Sequence, residues 1–266
     1  MLLKQLTKFQ ILFFIKEISM QKVFVKSIII CSLLCTNVFA IEAKDVTTDP
    51  QDYYLREDQA PDSLLLLPQP PAYNSIEFLR DKAQYDWGKS MRNTERGHQA
   101  YLDADATKDN VTKQFSPSFG YEISSTKTPE IYKLITTMKE DAGDLATRSA
   151  KVHYNRVRPF SFFKEPTCRP EDEKTLSTNG SYPSGHTTLG FAISLVLAEI
   201  NPQRQNEILK RGYEIGESRV ICGYHWQSDV DAAKVMAAAV VVQLHTNEEF
   251  NKQLVKAKAE FSQLKK

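Results

Sequence analysis

The sequence has almost no net charge: its 34 Lys and Arg stand against 33 Asp and Glu, a formal +1 with its 5 histidines neutral. A nucleic-acid-binding surface needs a basic excess, and none is present. Within residues 41–266 no apolar run is long enough to cross a bilayer, because 187–200 and 234–244 both fall short of the roughly 20 residues a span requires. No segment sustains period-two alternation, which excludes substantial β-sheet, and no internal repeat or low-complexity tract appears. Cysteine is scarce, at 4 in 266 residues. The bulk composition, 41% hydrophobic and 25% charged, excludes disordered and fibrous classes.

The amino terminus departs from that background. Lys22 and Lys26 form a positive region after Met20, residues 27–38 an apolar core, and Val38-Phe39-Ala40 a small-residue cleavage site. The pattern predicts an export signal over 1–40, with Met20 the expected start and 1–19 an upstream extension. Cleavage removes five lysines and one glutamate, turning the formal charge to −3, and leaves only Cys168 and Cys222. In an exported protein an even pair reads as one disulfide, with two separate buried thiols as the alternative.

Residues 41–74 carry prolines and read as an extended arm whose Leu64–Leu67 run tethers it to the core. From Ser75 the pattern turns helical: Ser75 can cap 76–91, and further helices are predicted over 90–106, 128–150, 151–157, 203–217 and 228–245. Residues 160–182 read as a loop. The segment from Thr187 to Ile200 is apolar on almost all sides, as a buried central helix is. The expectation is one all-α domain over 75–266, a single compact helical body around a buried central helix pair.

Three short segments hold reactive side chains. Lys151 and Arg158 are seven residues apart, two turns along one face of a helix, so both cations can meet one anion. Pro183-Ser184-Gly185-His186 precedes the central helix; Ser184 or a neighbour can be its N-cap, Gly185 lets backbone approach a ligand, and free N–H groups there attract anions. Ser218-Arg219 is followed by His225 and Asp229, and a helical turn would set these last two side by side. A carboxylate on Nδ1 fixes the tautomer and frees the Nε2 lone pair for nucleophilic attack. Ser228 is an alternative cap for the following helix. His98, His153 and His245 lack partners at metal-ligand spacing and read as structural, and Glu140 and Asp141 as a solvated helix face.

Together the order K-x6-RP, PSGH, SR-x5-H-x3-D resembles the signature of the type 2 phosphatidic acid phosphatase superfamily, which includes vanadium haloperoxidases. Gly180-Ser181-Tyr182-Pro183-Ser184-Gly185-His186-Thr187, EDAGDLATRSAK and SRVICGYHWQSDVDAA further resemble the class A non-specific acid phosphatases of bacterial periplasms. The likeness runs from Ser75 to about Leu244. It implies a periplasmic, metal-independent acid phosphatase of that all-α fold. His225 would be the nucleophile, Asp229 its orienting partner and His186 the general acid and base. Lys151, Arg158, Arg219, Ser184 and the Gly185 N–H would bind the phosphoryl oxygens.

The resemblance implies no cofactor, although phosphate or vanadate can occupy such a site as ligand or inhibitor. It implies small phosphate monoesters, nucleotides included, as substrates, phosphotransfer to alcohols as a side activity, and a homo-oligomer with no membrane or nucleic-acid partner once the signal is removed. The rival expectations are a vanadium haloperoxidase and a non-catalytic phosphate-binding protein. The short chain and the GSYPSGHT match weigh against the first, and the two histidines against the second.

Overall fold

The computed structural model describes residues 53–264, all within the second of the chain's two units, 49–266. The expected export signal and the start of the arm lie outside the described residues. Every regular element among the described residues is a helix.

Ser75 caps α1 (Ile76–Met91), its hydroxyl accepting the Phe78 N–H at 3.2 Å. Thr94 caps α2 (Glu95–Asp103) in the same way, so the predicted 90–106 segment starts later than expected. α3 (Lys108–Phe119) was not foreseen; it is largely polar, buries only one side, and stops at Gly120, whose φ of 89° is left-handed. The expected 128–150 helix ends early, as α4 (Pro129–Gly143); after a 3-10 turn at Leu145–Thr147, the expected 151–157 helix is α5 (Arg148–Tyr154), shifted toward the amino terminus. α6 (Pro159–Phe163) and a single turn at Glu173–Leu176 occupy part of the predicted loop. The chain closes with α7 (Gly185–Ile200), α8 (Gln205–Ile221), α9 (Gln227–Leu244) and α10 (Glu248–Leu264).

α7 is the central helix, packed on α8, α9 and α4. Leu189, Ala192, Ile193, Val196, Leu197 and Ile200 are buried around its circumference. The expected pair of α7 and α9 is in contact, but the widest seam is α7 against α8. α4 closes the core with Ile131, Leu134, Ile135 and Met138, each fully buried and each stabilising the fold by about 1.5–3 kcal/mol.

Small residues let α7 and α8 approach. A Cβ on Gly212 would strike the Ser194 side chain and stand 3.1 Å from the Gly190 carbonyl oxygen. Overpacking of this kind costs about 1–3 kcal/mol, more than the few tenths to one that helix propensity returns on replacing glycine. Gly212→Val is therefore expected to lower the urea midpoint by an amount worth about 2 kcal/mol, and adding Ser194→Ala to restore part of it.

The arm is held differently from expectation. Of the leucine run only Leu67 is buried, while Leu65 and Leu66 face solvent, and Ser63–Leu66 is a helical turn, not extended chain. The clamp is Asp141, fully buried rather than solvated, whose carboxylate accepts the N–H groups of Tyr54 and Leu55 at 3.0 and 2.9 Å. Burial pushes its pKa up to about 7 against the pull of those donors.

Cys168 and Cys222 are joined, with sulfurs 1.98 Å apart, so the loop after α6 is stitched to the end of α8. No helix among the described residues is long and apolar enough to cross a membrane.

Candidate active site

Lys151 and Arg158 do not share a helix face. α5 ends at Tyr154 because Asn155 turns left-handed, φ 37°, and Arg158 caps α6. The turn between them brings the cations together by another route: Lys151 Nζ and Arg158 Nη2 both donate to the Gly180 carbonyl, at 3.1 and 3.4 Å. Arg158 also donates through Nε to Leu176 O at 2.8 Å and through Nη1 to Tyr224 O at 3.1 Å. Its Nη1 stands 3.0 Å from His225 Nε2.

The second segment enters α7 as expected. Ser184 is the N-cap, its Oγ accepting the Thr187 N–H at 3.3 Å, and its own N–H donates to the Asp229 carbonyl at 3.1 Å. The starts of α7 and α9 are thereby tied. Gly185 has a packing reason of its own: a Cβ there would lie 2.6 Å from the Gly143 carbonyl oxygen of α4. His186 follows in the first turn, half-buried, and its Nε2 donates to the Ala104 carbonyl at 3.1 Å. That bond assigns the proton to Nε2 in the neutral ring.

The third segment is not a helical turn throughout. α8 ends at Ile221, Gly223 reverses the chain with φ 79°, and Trp226 is the N-cap of α9. His225 thus stands just outside the helix and Asp229 in its first turn. The spacing works through the cap: Asp229 Oδ2 accepts the Trp226 N–H at 2.9 Å and faces His225 Nδ1 at 3.3 Å. Ser228 is not the cap; its N–H and hydroxyl both donate to Asp81, at 2.8 and 2.6 Å.

Arg219 has the least satisfied side chain of the group. It is only 1% exposed, its guanidinium lies 4.3 Å from the centre of the Tyr224 ring, and its Nε and Nη1 find no partner among the described residues. Buried donors are nearly always paired, and two unpaired donors on one guanidinium have the chemistry to take an anion.

The cluster is strongly electropositive, and burial with like charge lowers the proton affinity of its members. Burial first, then Arg158, brings Lys151 down to about 7. Burial, then Arg219, brings Arg158 down to about 10, and burial brings Arg219 to about 10. Both histidines are held well below their ordinary value: His225 by burial, Arg158, Lys151 and Arg219, and His186 by burial, Arg219 and His225. Two neutral imidazoles among three cations can accept and pass protons around a tetrahedral anion. An open pocket of about 430 Å³, lined by Asp105, Thr107, Arg169 and Asp172, reaches His186 and Arg219. Among the described residues no three His, Cys, Asp or Glu side chains gather to hold a metal ion.

Sequence reasoning missed Arg156 and Asp81. Arg156 donates through Nη1 to Asp229 Oδ1 at 2.5 Å and through Nη2 to Asp81 Oδ2 at 2.8 Å. Arg156 lay inside the six-residue gap of K-x6-RP, and Asp81 in an ordinary amphipathic pattern, so no spacing singled them out.

The PAP2 superfamily matches residues 141–252, the stretch that holds Lys151 and Arg158, residues 183–186 and residues 218–229. The chain is 59% identical over 237 residues to a non-specific acid phosphatase of Providencia stuartii, covering 88% of this chain and 96% of that protein. It is 41% identical over 222 residues to one of Salmonella typhimurium, covering 84% and 89%. An acid phosphatase of Zymomonas mobilis is 34% identical over 200 residues, 75% of each chain.

Proposed function

This chain belongs to the class A non-specific acid phosphatases of the PAP2 superfamily, and we propose that it cleaves phosphate monoesters through a phosphohistidine formed on His225, without a metal ion. The observation that carries this reading is the pairing at His225: Asp229 lies on Nδ1, and Nε2 faces the cation cluster through Arg158.

In the first step the Nε2 lone pair attacks phosphorus, the bond to the ester oxygen breaks, and His186 gives that oxygen its proton. In the second, His186 takes a proton from water, the water oxygen attacks phosphorus, the P–N bond breaks and phosphate leaves. Lys151, Arg158 and Arg219 hold the equatorial oxygens, where the transition-state charge spreads, with the α7 N-terminus at Ser184 and Gly185 beside them. The phosphoryl group replaces His225 Nε2 as the partner of Arg158 Nη1. An alcohol in place of water gives phosphotransfer. The segment at 20–40 exports the enzyme, and substrates are small esters, nucleotides among them.

The proton inventory has a kinetic consequence. His186 must be protonated to act as acid, yet the surrounding cations and burial depress its affinity for a proton in the free enzyme. A bound phosphoryl dianion offsets those cations and raises it. The alkaline limb of the kcat profile is therefore expected at higher pH than that of kcat/KM, since the first reports the complex and the second the free enzyme. Coincident limbs would remove His186 from the acid role.

The mechanism itself is tested by acid-free quenching of a radiolabelled aryl phosphate in EDTA at pH about 5 to 6, followed by peptide mapping. Label that is alkali-stable, acid-labile and on the His225 peptide supports the assignment. Label elsewhere, or turnover lost on chelation, overturns it.

A further inference from the structure

The nucleophile is held by more than its own carboxylate. Arg156, 5% exposed, sits between two buried carboxylates, Asp229 and Asp81, and also donates to Ser228 Oγ at 2.7 Å. Asp81 reaches across from α1 and accepts both the N–H and the hydroxyl of Ser228 in the first turn of α9. The residues next to Arg156 grip the other side of the same turn. The Val157 carbonyl accepts the Trp226 indole N–H at 2.8 Å, and Arg158 donates to Tyr224 O and stands against His225 Nε2. The Arg156 guanidinium also lies over the Trp226 ring, 5.6 Å from its centre. One tripeptide, 156–158, therefore contacts the residues before and after His225, its orienting carboxylate and its reactive nitrogen.

We propose that Arg156 is a positioning residue for phosphoryl transfer: anchored by Asp81, it keeps the Asp229 carboxylate as a pure acceptor toward His225 Nδ1, so that the lone pair stays on Nε2. Asp229 Oδ2 already accepts the Trp226 N–H, and Arg156 occupies Oδ1, so both oxygens are committed as acceptors. Without the guanidinium, Asp229 is left as a buried carboxylate that has lost its ion pair to Arg156, and burial favours its taking up a proton whether or not Asp81 is charged. A protonated Asp229 can donate to Nδ1, which moves the lone pair to the wrong nitrogen. Loss of the correct tautomer in a histidine–aspartate pair costs about 10⁴-fold in kcat where it has been isolated. Arg156 commits both Nη atoms to Asp229, Asp81 and Ser228, and it is not among the cations assigned to the phosphoryl oxygens, so its removal is expected to act on kcat rather than KM.

This role rests on His225 being the nucleophile, and the test separates the two. Arg156→Gln, Arg156→Lys and His225→Ala are compared with the parent by steady-state kinetics, and the histidine tautomers are read by long-range proton–nitrogen NMR of the imidazoles. Because Arg156→Gln alone leaves two buried carboxylates, the double variant Arg156→Gln with Asp81→Asn is made as well, which removes one of them and keeps hydrogen-bonding groups. The expected result is a fall in kcat of at least about 10²-fold in both glutamine variants with KM within threefold, a milder loss in Arg156→Lys, and movement of the His225 proton from Nδ1 to Nε2 in the glutamine variants. A folded glutamine variant with parental kcat, or with the tautomer unchanged, overturns the proposal. Activity that survives His225→Ala overturns the nucleophile assignment and the catalytic meaning of Arg156 with it; loss in His225→Ala without loss in the Arg156 variants overturns the Arg156 role alone.

Discussion

His225→Ala lowers kcat for a chromogenic aryl phosphate at pH about 5 to 6 by at least about 10⁴-fold, the scale seen when a covalent nucleophile is deleted and only binding and electrostatics remain. The geometry explains why nothing substitutes. The other imidazole near the site, His186, is bound through Nε2 to the Ala104 carbonyl and is assigned to proton transfer. At pH about 5 to 6 the cations assigned to the phosphoryl group are protonated donors, Lys151 predominantly so, since its pKa of about 7 lies above that range. Because Lys151, Arg158 and Arg219 remain, phosphate should inhibit the variant about as well as the parent. If His225→Ala turned over at more than a hundredth of the parental rate, water rather than His225 would be the nucleophile.

Arg219→Met is the second large effect: a loss of about 10³–10⁵-fold in kcat/KM, the range found when a transition-state arginine is removed from phosphoryl-transfer enzymes. Among the described residues Arg219 has two buried donors without a partner and no ion-paired carboxylate, so that capacity is open to a ligand. Its charge is held in the resting fold against burial, which brings its pKa down to about 10. Methionine fills similar volume without that penalty. Arg219→Met should accordingly melt no lower than the parent while losing nearly all activity, the separation expected of a residue kept for function at the expense of stability. Arg219→Lys should not rescue it, because an ammonium cannot reproduce the planar fork or its stacking on Tyr224. A large fall in melting temperature with activity retained would reverse the interpretation.

Much of this was legible in the sequence, for physical reasons that can be named. Ser75 and Ser184 announced helix starts because hydroxyl caps act locally, and the all-round apolarity of 187–200 announced a central helix because nothing but burial tolerates it. Lys151, Arg158 and Arg219 were found as cations, and their convergence on one place was expected. Lys151 and Arg158 do not meet along a helical face, however; a left-handed Asn155 turns the chain between them. His225 and Asp229 likewise meet across a capping turn rather than along a helix, since an i, i+4 spacing is satisfied by either. Arg156, Asp81 and the Ala104 carbonyl were invisible because their partners lie far away in sequence, and no periodicity encodes a contact between α1, the 155–158 turn and α9. The Asp141 clamp was misjudged for the same reason: a carboxylate in an amphipathic helix looks solvated until the arm that covers it is seen.

The cation cluster also bears on how the protein survives between turnovers. Three like charges drawn into one buried place repel each other, and the fold holds them together at its own expense. Any tetrahedral anion that binds there relieves the repulsion and adds its binding energy to the folded state alone, by an amount that grows with the logarithm of its concentration. The product of the reaction is such an anion. On the proposed mechanism the enzyme's own output is expected to act as its preservative: abundant phosphate should slow and protect the protein at once, and scarce phosphate should leave it fully active and most easily lost.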